Sequence, residues 1–153
     1  MTDRPSDTAV RAWARLMTAQ QLALSAIERD LKAAGLPPLA WYDVLLELER
    51  AAGPGLRPFE LERAMLITQY NLSRLVVRIE QAGYVERRPC EEDGRGHRIA
   101  ITDHGKALRR RMWPVYARAI ESALGRHLSP RQAEALDDLL GRLVEGQRDA
   151  LSD

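Results

Sequence analysis

Residues 84–105, YVERRPCEEDGRGHRIAITDHG, constrain the fold of this chain more than any other stretch. Residues 84–89 and 97–101 read as two strands, and Gly94 and Gly96 between them as the loose tip of a hairpin. Thr102 follows at once as the N-cap of a helix. An acid, two glycines and two arginines crowd the segment between the strands. A glycine-rich turn with arginine at its tip suits a phosphate cradle, a metal loop or a hairpin that reaches into a partner. The rest of the chain has to decide between these.

Everything else reads as helix. Residues 8–34 carry Trp13, Met17, Gln20, Leu24, Ile27 and Leu31 at alternating steps of four and three, a coiled-coil-like stripe that Gly35 ends. Residues 38–51 form a second helix with Trp41, Val44, Leu45 and Leu48 on one face. The run GPGLRP, 53–58, breaks the chain, and Pro58 opens a short third helix over 58–65 with Leu61, Met65 and Leu66 turned inward. Thr68 is the expected N-cap of a fourth helix, 69–82, whose inner face is Leu72, Leu75, Val76 and Ile79. Its outer face holds Gln69, Tyr70, Ser73, Arg74, Val77 and Arg78, with no acid until Glu80, and Asn71 lies nearer the buried side. A fifth helix, about 103–125, carries Leu108, Met112, Val115 and Ala119, and Pro114 should kink it or interrupt it near residue 110. The capping box SPRQ, 129–132, starts a sixth helix marked by Leu136, Leu139, Leu140 and Leu143.

Composition excludes several classes. With 45% hydrophobic residues the 153-residue chain can pack a core, so global disorder is not expected. The formal net charge is only +1, so any binding of a polyanion must come from local placement of charge. The single cysteine, Cys90, forbids an internal disulfide and fits a reducing compartment. MTDRPSDTAV lacks the pattern of a signal peptide, and no apolar run approaches the roughly 20 residues of a membrane span. A cytoplasmic protein is expected.

A short helix, a capped polar helix and a hairpin in that order spell a mainly α winged helix-turn-helix. A helix with an apolar inner face and a polar, arginine-bearing outer face suits the DNA major groove, where base edges can be read. An arginine-tipped hairpin beside it can enter the narrower, more negative minor groove. The long terminal helices supply a dimer interface. A twofold pair then sets two reading helices about 34–36 Å apart, one helical turn of DNA.

Three runs carry a resemblance to a known family. GLPPLAWYDVLLEL resembles the second helix of the MarR (multiple-antibiotic-resistance regulator) family, and LSRLVVRIEQAGYVER its recognition helix and first wing strand. DGRGHRIAITDHGKAL resembles the D-x-R, apolar-x-apolar-Thr, x-x-Gly signature of its wing and next helix. The resemblance runs from about Gly35 to Leu108. Pro37 and Pro38 depart from it, standing where a Ser or Thr cap is common, and Tyr84 replaces an aliphatic residue.

The resemblance implies one MarR-like domain over 1–153, with 36–102 as the DNA-binding lobe and 8–34 and 103–150 as dimerisation helices. It implies a homodimeric repressor on a pseudo-palindromic operator, released by a small aromatic-type ligand. By position, Gln69, Tyr70, Asn71, Ser73, Arg74 and Arg78 face the major groove or phosphates. Arg95 is the wing-tip arginine in the minor groove, His97 on the wing is a further DNA-binding residue, and Asp93 braces the wing. Trp13, Met17, Trp41, Tyr42, Met65, Trp113 and Tyr116 are candidate pocket residues, although ordinary core packing explains each singly.

Other readings are weaker. Cys90, Asp93, His97 and His104 fall within fifteen residues but match no standard zinc spacing, so neither metal nor cofactor is expected. Arg87 and Arg88 would favour a reactive Cys90 thiolate, while Glu91 and Glu92 oppose it. No Ser/His/Asp or Cys/His spacing, phosphate loop or paired carboxylate marks an enzyme. The arginines 109–111 read as a solvated helix face, and His127 as a helix-end residue. The alternative function is a winged-helix protein-interaction module without sequence-specific DNA binding.

Overall fold

The computed structural model describes residues 4–66, 71–90 and 96–152. Their order is α1 (Asp7–Ala33), α2 (Leu39–Ala51), α3 (Pro58–Ala64), α4 (Leu72–Gln81), β1 (Val85–Pro89), β2 (His97–Ile101), α5 (Asp103–Ala123), a 3-10 turn (Gly125–His127) and α6 (Pro130–Ser152). The fold is mainly helical with one antiparallel hairpin. The chain forms two compact units, Ile27–Ala117 and Met1–Ala26 with Arg118–Asp153, so α1 and α5 contribute to both. Among the described residues no helix is long and apolar enough to cross a membrane.

The core of the Ile27–Ala117 unit is built from every helix and strand within it. Leu31 of α1, Val44, Leu45 and Leu48 of α2, Leu61 of α3, Ile79 of α4, Val85 of β1, Ile99 of β2, and Leu108 and Met112 of α5 are all buried. Each such side chain stabilises the fold by about 1.5–3 kcal/mol through loss of apolar surface to water. The hairpin pairs Val85 with Ile101, Arg87 with Ile99 and Pro89 with His97.

Two joints hold the hairpin against the helices. The run GPGLRP does more than break the chain: Leu56 N donates to Ile99 O at 2.9 Å and Ile99 N to Leu56 O at 2.7 Å, adding a one-residue bridge to β2. Gly55 is required there, since its φ is +96° and a Cβ would lie 2.1 Å from Ile99 O. The second joint is the start of α5. Thr102 Oγ1 accepts from Gly105 N at 3.0 Å, as a capping residue should, and donates to Gly83 O at 2.7 Å. Thr102 N donates to Tyr84 O at 3.1 Å, and a Cβ on Gly105 would lie 2.1 Å from that same carbonyl oxygen.

The two prolines before α2 leave Pro38 at the N-cap with no side chain able to accept a bond. Glu28 of α1 supplies the missing acceptor: its Oε1 receives Leu39 N at 3.1 Å. At the far end of α3, Asp43 of α2, itself buried, accepts Leu66 N through Oδ2 at 2.7 Å. These two carboxylates tie α1, α2 and α3 together by backbone groups that helix ends leave open.

Several expectations about the helices need correction, beginning with Leu66, which is expected to turn inward and is 75% exposed. The fourth helix starts at Leu72, not at residue 69, and its N-cap is Asn71, whose Oδ1 accepts Arg74 N at 3.3 Å. Asn caps a helix at least as well as Thr; Thr68 lies outside the described residues. For the same reason Asn71 is exposed and not near the buried side, because a cap residue with ψ of 99° does not follow the helical projection. Finally, of the two outcomes expected at Pro114, a kink or an interruption near residue 110, the interruption does not occur: α5 runs through it as one helix. The proline lacks the N–H that would bond Arg110 O, and Arg110 is exposed, so water can take that place.

Candidate nucleic-acid interface

The sequence of α4 sorts its side chains cleanly. Leu75, Val76 and Ile79 are buried and Leu72 half-buried, while Asn71, Ser73, Arg74, Val77, Arg78 and Gln81 are exposed. The helix ends by two bonds, Gly83 N to Glu80 O at 2.9 Å and Tyr84 N to Ile79 O at 3.1 Å. The second keeps Tyr84 out of the ladder, which begins one residue later than its sequence predicts. Glu80, the single acid of α4, is engaged by Arg87 of β1 at 3.2 Å. That ion pair ties helix to hairpin and offsets the negative charge nearest to Arg74 and Arg78 in sequence.

On the hairpin, His97 and Arg88 are exposed, and Arg88 pairs with Glu86 at 2.6 Å. Arg98 is half-buried and turns toward α3, reaching Glu60 Oε1 at 3.5 Å and Gly55 O at 3.4 Å. Glu60 also accepts Arg57 N at 2.9 Å, closing the first turn of α3. Of the expected interface residues, the structure thus presents Asn71, Ser73, Arg74, Arg78 and His97 to solvent. Gln69, Tyr70, Asp93 and Arg95 lie outside the described residues. The pairing of Arg87 with Glu80 is not among the sequence expectations; the reversal of the chain through Gly83, between α4 and β1, brings the two together.

The candidate pocket residues separate into groups. Tyr42, buried, stacks on Trp113 with ring centroids 6.2 Å apart and meets Tyr116 edge-on at 5.0 Å. Burial first, then the charge of Asp43 and the neighbouring Tyr42, raise the Tyr116 phenol above its ordinary value. Arg109 donates to Glu49 through a short bond that raises its pKa against the opposing effect of burial, with Tyr42 adding to it. Arg109 is therefore a tie between α5 and α2 and not part of a solvated face, whereas Arg110 and Arg111 are exposed. Trp41 points elsewhere, edge-on to Tyr84 at 6.1 Å, and Tyr84 stacks on His104 at 4.6 Å. Met65 is buried, while Trp13 and Met17, in the other unit, are 64% and 45% exposed. Cys90 is buried, and among the described residues no three His, Cys, Asp or Glu side chains gather to hold a metal.

Comparison with known proteins shows what this arrangement is similar to. The model of the MarR family matches residues 34–96. That stretch, 63 of the 153 residues, is similar to the MarR family. The winged-helix fold extends well past that match. AbsC, a MarR family transcriptional regulator from Streptomyces coelicolor, superposes with a TM-score of 0.80 at 29% identity, over 97% of this chain and 99% of its own. A second MarR family regulator from the same organism, solved in complex with DNA, gives 0.83 at 29% identity over 95% and 92%. Among curated proteins, the HTH-type transcriptional regulator PecS of Dickeya dadantii is 37% identical over 68 residues, which is 44% of this chain and 41% of PecS. The chain thus spans less than half the length of these curated relatives. These MarR-family relatives are transcriptional regulators, not enzymes.

Proposed function

We propose that the chain is a DNA-binding transcriptional regulator, working in the cytoplasm as a homodimeric repressor on a pseudo-palindromic operator. The observation that carries this is the outward face of α4: Ser73, Arg74, Val77 and Arg78 all exposed, with the helix's one acid drawn off by Arg87. Such a face offers donors to base edges and positive charge to phosphates. Asn71 caps the helix beside it, and His97 lies exposed on the adjacent hairpin. Gln69, Tyr70 and Arg95 join the interface on the grounds of sequence, Arg95 at the wing tip and Asp93 as its brace. The regulator solved with DNA supports the same use of the fold. The exposed apolar residues of the terminal helices support the dimer. The cluster of Tyr42, Trp113 and Tyr116, with Trp113 47% exposed, supports release by a small aromatic ligand.

The test is selection of genomic DNA fragments by the purified protein, followed by affinity measurement over a range of salt. An inverted repeat should emerge, with affinity falling steeply as salt rises because bound cations are released. Arg78→Ala should lower the log–log salt slope by about 1 if Arg78 holds a phosphate. Arg74→Ala should cost about 1–3 kcal/mol and relax preference at one base pair. Equal retention of all fragments, together with unchanged binding by both variants, would defeat the reading and favour a protein-interaction module.

A further inference from the structure

Val77 is the one residue of the outward α4 face with neither charge nor hydrogen-bonding group in its side chain, and it is 39% exposed. Its position on that face is central. Leu75, Val76 and Ile79 define the buried direction. At about 100° per residue, Val77 falls within about 30° of the opposite direction, and Arg74 about 30° from it on the other side. Arg78 lies farther round, toward the edge that Leu75 occupies. Gln81 also points outward but is the last residue of the helix. Helices that enter the major groove touch base edges chiefly through their N-terminal residues. Val77 and Arg74 are therefore the deepest reaching pair, and Arg78 is better placed for the backbone.

We propose that Val77 determines specificity by seating the 5-methyl group of a thymine, next to a guanine read by Arg74. This deepens the DNA-binding reading and rests on it. Among the four bases only thymine presents a methyl group in the major groove. Opposite guanine or adenine, Val77 would strip water from acceptors while offering no donor, an uncompensated loss. Opposite thymine it removes apolar surface of both partners from water. Three residues of helix rise about 4.5 Å, and base pairs stack about 3.4 Å apart. The thymine and the guanine should thus lie one or two base pairs from each other.

The experiment starts from the fragment selected by the full chain. Each thymine is replaced singly by deoxyuridine, which deletes only the methyl group, and each guanine by 7-deazaguanine. Wild-type protein should lose about fourfold in affinity at one thymine per half-site, the worth of one buried methyl, and the losses should compound when both half-sites are changed. Val77→Ala should bind the thymine fragment as weakly as wild type binds the deoxyuridine one, and be indifferent to the replacement. Arg74→Ala should be indifferent to 7-deazaguanine at a position within two base pairs. Because Val77 is exposed and alanine favours helix, the variant keeps its fold. Full affinity with deoxyuridine at every thymine, or equal sensitivity in wild type and Val77→Ala, overturns the inference and leaves the DNA-binding reading standing. Selection that enriches no fragment overturns both.

Discussion

Glu28 does for α2 what Pro38 cannot. A helix opening on Pro-Pro has no side-chain acceptor for its first N–H groups, and the carboxylate eleven residues earlier takes the Leu39 amide. A negative group at a helix N-terminus also meets the positive end of the helix dipole. Glu28→Ala should therefore destabilise the protein by about 1 kcal/mol, the usual worth of a cap, and Glu28→Gln by less, since the amide oxygen still accepts. Urea unfolding checks both. An unchanged midpoint in the alanine variant would show that water replaces the bond at no cost. Tyr116 offers a test by pH. Its phenol is pushed above the ordinary tyrosine value of 10.0, first by burial and then by Asp43. The neutral form is therefore favoured in the folded state. The stability this contributes is fully present below pH 10.0 and is lost as pH rises through the folded-state value. Tyr116→Phe should flatten the alkaline fall in stability relative to wild type, and should remove a late-ionising phenol from the tyrosinate absorbance curve of the folded protein. Parallel alkaline unfolding curves for the two proteins would count against it.

At the scale of elements, the junction of hairpin and α5 is a close-packed joint. Alanine at position 105 gains about 1 kcal/mol of helix propensity over glycine. Its Cβ would nevertheless sit 2.1 Å from Tyr84 O, a backbone atom that moves only with the end of α4. The clash should win, and Gly105→Ala should lose about 1–3 kcal/mol net, the range of overpacking, with weaker DNA binding because α4 and the hairpin are both attached there. Calorimetry would decide; a raised melting temperature would mean the joint yields freely. Much of this joint was legible in the chain itself. Thr102 marks a cap, and Leu72, Leu75, Val76 and Ile79 announce which face of α4 is buried, whereas the close approach at Gly105 shows only in the fold. What could not be read is non-local. Glu28 to Leu39, Asp43 to Leu66, Leu56 to Ile99 and Arg87 to Glu80 all depend on tertiary contact, and no periodicity records them. The expected start of α4 differs from the observed one because Thr68 and Asn71 are both good caps three residues apart, and the preference of Asn over Thr is too small to decide between them by itself. Trp41 and Tyr42 illustrate the same limit: neighbours in sequence, they serve separate aromatic clusters because successive helix positions diverge by about 100°.

At the scale of the whole molecule, the proposed dimer has to account for apolar surface that a lone chain leaves in water. In the unit formed by Met1–Ala26 and Arg118–Asp153, Trp13 is 64% exposed, Leu139 58% and Leu143 53%. Leu139 and Leu143 are four residues apart on α6, hence on one face, with Leu136 and Leu140 half-buried nearby in sequence. Coverage of that face by a second copy would recover about 25 cal/mol for each Å² removed from water. Leu139→Glu together with Leu143→Glu places two charges on it and should convert a dimer to a monomer in sedimentation velocity. Both side chains are already exposed, so the monomer should keep its helix content by circular dichroism. DNA affinity should then fall well beyond the effect of any single contact, because an inverted repeat held by one reading helix forfeits the second half-site. If the charged variant still sediments as a dimer, α6 is not the interface. If it becomes a monomer yet binds the full operator unchanged, the twofold arrangement of reading helices is not what recognises the site.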